Sequence, residues 1–135
     1  MTTGRARSVV FVCEHGSAKS VIAAAHFQRL AAGAGLDVRA VSRGTDPDPA
    51  FPPNALDGLE RDGLRPLDDA PKLLDAGELA NATHVVAFCT VPDSYSYNEP
   101  IERWDVPAVS DDYETARRAI VSRVERLVRD LGSRA

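Results

Sequence analysis

A three-layer α/β sandwich on a four-stranded parallel sheet is the fold this sequence predicts, and three patterns predict it. The run Val9-Val10-Phe11-Val12 is apolar at every position, as in a strand covered on both faces. It passes within about seven residues into an Ala-rich segment, Ser20 to Leu30, with apolar residues at helical spacing, and a second strand pattern follows. That is a βαβ unit, whose crossover is right-handed. The third pattern is the amphipathic stretch Tyr113 to Leu131, with Ala116, Ile120, Val124, Leu127 and Leu131 on one face and arginines on the other.

Each element has a local reason. Gly33-Ala34-Gly35 stops the first helix, and Asp37 to Ser42 alternates as the second strand before Arg43-Gly44-Thr45. The proline-rich segment from Asp46 to Pro53 excludes regular structure, and Asn54 is placed to cap a helix running to about Asp62. Pro66 and Pro71 interrupt the next stretch, Leu73 to Ala80 reads as a short helix, and His84 to Cys89 as the third strand. A short fourth strand is expected within Ile101 to Val106. Doubly wound sheets bind ligands at the carboxyl ends of their strands, and Cys13, Gly44, Cys89 and Trp104-Asp105 fall at or just past those ends.

Composition narrows the function. With 135 residues, 44% of them hydrophobic, and a formal net charge of −4, the chain reads as one domain over residues 1–135. No apolar stretch approaches the roughly twenty residues of a membrane span. Residues 1–8, with Arg5 and Arg7 and no apolar centre, do not make a secretory signal, so the cytoplasm is the expected compartment and no membrane partner is expected. Cys13 and Cys89 lie too far apart for metal-type spacing. No metal is expected, and a catalytic or redox use of the thiols in a reducing compartment fits better than a structural disulfide. The arginines are scattered through an acidic chain, which argues against a nucleic-acid partner. Of the sixteen basic residues only Lys19 and Lys72 are lysine, so Lys19 does not follow from a general preference for lysine.

The chemistry centres on Cys13 and the loop Glu14-His15-Gly16-Ser17-Ala18-Lys19 before Ser20. A tight turn from strand to helix gathers backbone N–H groups into one concavity, and these amides together with the helix dipole bind anions. The same field favours the thiolate form of a cysteine at its edge. The expected chemistry is a thiolate facing a tetrahedral oxyanion.

At these residues the chain resembles the low-molecular-weight protein tyrosine phosphatases and the thioredoxin-coupled arsenate reductases that share their fold. Their signature is Cys, five residues, then Arg-Ser; Cys13 and Ser20 keep the spacing, with Lys19 at the arginine position. Val41-Ser42-Arg43-Gly44-Thr45, Pro53-Asn54-Ala55 with Gly63-Leu64, Val85-Val86-Ala87-Phe88-Cys89 and Trp104-Asp105-Val106-Pro107 match further family landmarks in order. The resemblance covers nearly the whole chain. It implies a low-molecular-weight phosphatase-like fold, Cys13 as nucleophile, residues 14–19 as the oxyanion loop, and a Ser20 hydroxyl donating to the Cys13 sulfur.

Five features shape the expectation. Gly16 stands at the family's Asn, a position it fills at no steric cost if the loop needs positive φ there. His15 is new: it is either a solvated residue at the loop's shoulder or an imidazole able to donate to a substrate oxygen. Glu14 repels an anion unless it points away or pairs with Lys19 or His15. Lys19 keeps a positive charge but lacks the bidentate fork of arginine, and losing one such charge-assisted contact costs about 1.5–3 kcal/mol. Last, Ala108-Val109 replaces the family's Asp-Pro pair, whose Asp is the acid; Asp105, Asp111 and Asp112 are nearby substitutes.

Cys89 matches the strand that carries the second redox cysteine of the arsenate reductases, while Ser96 stands where their third cysteine would be. Tyr95 and Tyr97 are either pocket walls or ordinary loop residues. Three readings follow. An arsenate-reductase-like enzyme would use Cys13 as nucleophile, Lys19 and the loop amides as clamp, and Cys89 as resolving thiol. It would need no bound cofactor but a thiol reductant, either thioredoxin or a low-molecular-weight thiol. A phosphatase would pass through a phosphocysteine on Cys13, with His15 or an Asp assisting. A protein that kept the loop only for binding is the third. The first is favoured by Cys89, and in each the partner is a small oxyanion or a phosphorylated substrate.

Overall fold

A computed structural model describes residues 7–95, 97 and 100–133; Arg5 and Ser96 lie outside the described residues. Strand β1 (Arg7–Cys13) runs between β2 (Val38–Gly44) and β3 (His84–Ala87), and β4 (Glu102–Arg103) lies beyond β3. All pairings are parallel, with Cys13 opposite Gly44 and Val9 opposite both Ala40 and His84. Because side chains alternate across a strand, β1 feeds two cores. Val9, Phe11 and Cys13 pack with helices α1 (Lys19–Gly33) and α4 (Tyr113–Ser133) on one face. Val10 and Val12 pack with Leu74, Val85 and Leu79 of α3 (Ala76–Asn81) on the other. The apolar face expected of α4 is buried as read, with Val128 joining it. The architecture is the three-layer α/β sandwich the sequence predicts.

Local differences have local causes. Helix α2 (Pro53–Arg61) begins at a proline whose fixed φ suits a first turn, with Pro52 at the cap position; Asn54 lies inside that turn and makes no cap. The short helix after Pro71 is α3, because the Asp75 carboxylate accepts the Glu78 amide at 2.9 Å and sets its start. Leu73 and Leu74 are extended instead: the Leu74 amide donates to the Gly44 carbonyl and the Gly44 amide to the Lys72 carbonyl, both at 2.9 Å. These bonds fix the end of β2. So does Arg43, buried there with its guanidinium on both Glu78 oxygens at 2.7 Å and on Asp68 at 3.0 Å.

His26 on α1 is buried, its Nε2 3.4 Å from Asp62 Oδ2 without hydrogen-bond geometry, while Asp62 takes both nitrogens of an Arg117 fork at 2.7 and 2.9 Å. Burial holds His26 below the ordinary imidazole range; Asp62 opposes this, and Arg117 and Arg29 reinforce it. The unfolded chain therefore binds a proton there more readily than the folded one does. The stabilisation is complete above the unfolded imidazole's pKa of about 6.5 and is lost as pH falls below it. The melting temperature is expected to drop between pH 7.5 and 5, with a smaller drop in His26→Gln; equal slopes in the two proteins would refute this.

Candidate active site

The loop after β1 is built by its neighbour. Amides of Thr45, Asp46 and Asp48 donate to the carbonyls of Cys13, Glu14 and His15 at 3.2, 2.7 and 3.0 Å, so the segment after β2 runs alongside the loop and takes up its carbonyls. In a trans peptide the following N–H points opposite to the carbonyl, so the amides of Glu14, His15 and Gly16 point away from that segment. Gly16 has φ +60°, the value its residue type was expected to supply. A turn of this shape, leading into the start of α1, gathers its amides into a concavity of the kind that can bind an anion.

Cys13 lies at the base, buried, its Sγ 3.0 Å from the hydroxyl of the equally buried Ser20. A cavity of about 330 Å³ opens above it, lined by Cys13, Glu14, His15, Ser17, Ala18 and Lys19 from the loop side. Pro52 and Asn54, then Phe88 and Cys89, then Ala108 to Ser110 make its walls. Phe88 is held edge-on by the buried Trp104, ring centroids 5.8 Å apart, and Trp104 packs in turn on Phe11 at 5.9 Å. The mainly apolar wall is thus tied to the core.

The structure brings most of the expected residues to this cavity and leaves others out. Lys19 lines it, but its Nζ donates to the Val106 carbonyl at 3.1 Å, strapping the start of α1 to the segment that carries Ala108 and Val109. Glu14 is 64% exposed, with one carboxylate oxygen 3.8 Å from His15 Nε2. Asp105 is not a cavity residue: its side chain is 89% exposed and 3.7 Å from Arg103. Asp112 instead caps α4, accepting the Thr115 amide at 3.1 Å and its hydroxyl at 2.8 Å, and Asp111 is exposed outside the cavity. Tyr95 and Tyr97 are staples, donating to the carbonyls of Leu74 and Ala82.

Cys89 shares the cavity with Cys13, and both thiols are free. Burial pushes the Cys89 thiol up and negative charge on Cys13 adds to this, while Thr45 opposes it. One residue escaped the sequence reading. Asp48 reaches the loop twice, accepting the Ser17 hydroxyl at 2.9 Å on Oδ2 and facing His15 Nδ1 at 3.5 Å with Oδ1. The available signal was its place just past the carboxyl end of β2, masked by the surrounding prolines.

A family model described as low molecular weight phosphotyrosine protein phosphatase matches residues 8–133. No curated protein matches the chain. Among solved structures it is similar to YfkJ from Bacillus subtilis, with a TM-score of 0.86 at 20% identity over 98% of this chain and 99% of that one. A low molecular weight protein tyrosine phosphatase from T. tengcongensis gives 0.76 at 21% over 92% and 99%. An arsenate reductase from Archaeoglobus fulgidus gives 0.70 at 24% over 93% and 98%. At these identities the likeness speaks for the fold.

Proposed function

The chain belongs to the low molecular weight phosphotyrosine protein phosphatase family, and on that premise we propose that it is a cysteine-thiolate enzyme acting on a tetrahedral oxyanion, with arsenate reduction as its reaction. The observation that carries this reading is the pair of free thiols, Cys13 and Cys89, on one cavity. The Cys13 thiolate attacks arsenic and expels one oxygen as water, giving a sulfur–arsenic(V) adduct on the loop. Cys89 then attacks the Cys13 sulfur, and the sulfur–arsenic pair leaves with arsenic as arsenite. Two thiols are oxidised to a Cys13–Cys89 disulfide and arsenic gains the two electrons. A thiol reductant, thioredoxin or a low-molecular-weight thiol, restores the pair, which suits a cytoplasmic protein.

The state of Cys89 supports this order. Burial and the negative charge of Cys13 hold it as a thiol. Once Cys13 is in the adduct its charge is gone, and the second of those causes is removed. Cys89 therefore becomes a better nucleophile only after the first step.

Hydrolysis of a phosphate ester through a phosphocysteine is the second reading, favoured by the apolar wall of Pro52, Phe88, Ala108 and Val109, which would seat an organic leaving group. A single-turnover experiment separates them. Reduced protein mixed with arsenate is expected to release arsenite with loss of both thiols; Cys89→Ser should form the adduct but release at least about 100-fold less arsenite. Arsenate left untouched while an aryl phosphate is hydrolysed through Cys13 would replace the reductase by the phosphatase. Inertness to both would leave an oxyanion-binding loop without turnover.

A further inference from the structure

Attack of a thiolate on a tetrahedral oxyanion expels an oxygen, and that oxygen leaves slowly unless it is protonated. The wall segment that carries the acid in the resembled family presents Ala108 and Val109 here, and Asp105, Asp111 and Asp112 are outside the cavity. Among the cavity residues, Lys19 is strapped to a carbonyl, Cys89 is held as a weakly acidic thiol, and Glu14 is a largely exposed carboxylate 3.8 Å from His15 Nε2. His15 is the imidazole at the rim, and imidazole is the side chain suited to proton transfer near neutral pH.

The surroundings of His15 assign its nitrogens. Nδ1 lies 3.3 Å from the Asp46 carbonyl oxygen and 3.5 Å from Asp48 Oδ1. Two acceptors on that side place the hydrogen on Nδ1 and leave Nε2 as the nitrogen that exchanges a proton. Asp48 is itself fixed to the loop, its amide on the His15 carbonyl at 3.0 Å and its Oδ2 on the hydroxyl of buried Ser17 at 2.9 Å. A carboxylate behind the imidazole fixes tautomer and orientation and stabilises the imidazolium, as in other carboxylate–histidine pairs.

We propose that Asp48 is the positioning residue that holds His15 as the proton donor to the departing oxygen, an inference that rests on the Cys13 chemistry above. As the Cys13 sulfur bonds to arsenic or phosphorus, the bond to the leaving oxygen breaks with its electron pair on oxygen. The Nε2 proton passes to that oxygen, giving water from arsenate or an alcohol or phenol from an ester, and His15 is left neutral.

The test is single-turnover kinetics on arsenate, phenyl phosphate and p-nitrophenyl phosphate with wild type, His15→Gln and Asp48→Asn, using Cys13→Ser as blank. His15→Gln is expected to slow arsenate and phenyl phosphate about 100-fold but p-nitrophenyl phosphate only about fivefold, because nitrophenolate leaves without a proton. Asp48→Asn, which keeps an acceptor for Ser17, should fall between. It should also move the descending limb of the pH–rate profile to lower pH, a shift that a merely structural role would not produce. The charged groups around that limb are Glu14 at 3.8 Å and Asp48 at 3.5 Å, with Lys19 and Cys13 on the same cavity. An unchanged leaving-group dependence and pH limb in His15→Gln overturns the inference while leaving the Cys13 reading intact. So does a wild type that turns over only p-nitrophenyl phosphate. Absence of Cys13-dependent turnover of all three substrates overturns both.

Discussion

Gly44→Ala is expected to remove turnover, by more than about 100-fold, and to cost about 1–3 kcal/mol of stability. A Cβ on Gly44 would sit 2.6 Å from the Gly16 nitrogen and 2.9 Å from both Gly16 Cα and the His15 carbonyl carbon. All three are backbone atoms of the loop after β1, so no side chain can swing aside. Nor can β2 retreat, because Gly44 is bonded on its other side to Lys72 and Leu74 and the adjoining Arg43 is locked to Glu78 and Asp68. The loop must therefore move, and with it the amides and the Cys13 geometry. Gly33→Ala is the internal control: nothing lies within 4 Å of its Cβ and its φ is not positive, so it should stabilise by about 0.4–1 kcal/mol. Urea unfolding and phosphate binding read both variants. Wild-type turnover in Gly44→Ala would show that the approach of the two glycines does not shape the loop.

The glycine contact also shows what the sequence could and could not tell. Strand β1, the βαβ unit and the buried face of α4 were legible because burial imposes a period on the residues, and a period can be read without a partner. Gly16 was legible through a backbone requirement of its own residue type. The approach to Gly44 was not, because it depends on how two loops meet. The same holds for Asp48, whose meaning lies in reaching Ser17 and His15 across the sheet, and for Lys19, whose charge was expected from its position but whose tie to the Val106 carbonyl was not. Asp105 was selected by proximity in sequence, and two residues past the short strand β4 its side chain lies in solvent. Asn54 looked like a cap, but the proline at the head of α2 already fixes the first turn.

Alkylation separates chemistry from accessibility at the two thiols. Cys13 is 8% exposed and Cys89 is half-buried, so access alone predicts that Cys89 reacts first with iodoacetamide. The opposite is expected at pH 7. The Cys13 sulfur faces the Ser20 hydroxyl at 3.0 Å at the base of the loop, whereas burial, and negative charge on Cys13 after it, push the Cys89 thiol up, and only the thiolate attacks. Cys13 should label at least about tenfold faster, with the gap closing as pH rises and Cys89 ionises. Arsenate or phosphate in the loop should protect Cys13. In Cys13→Ser the opposing charge is absent, so Cys89 should label faster than in the wild type at the same pH. Peptide mass spectrometry after timed quenching reads each site separately. Labelling of Cys89 first, with no change in Cys13→Ser, would mean that the thiols are electrostatically independent and that the loop does not activate its cysteine.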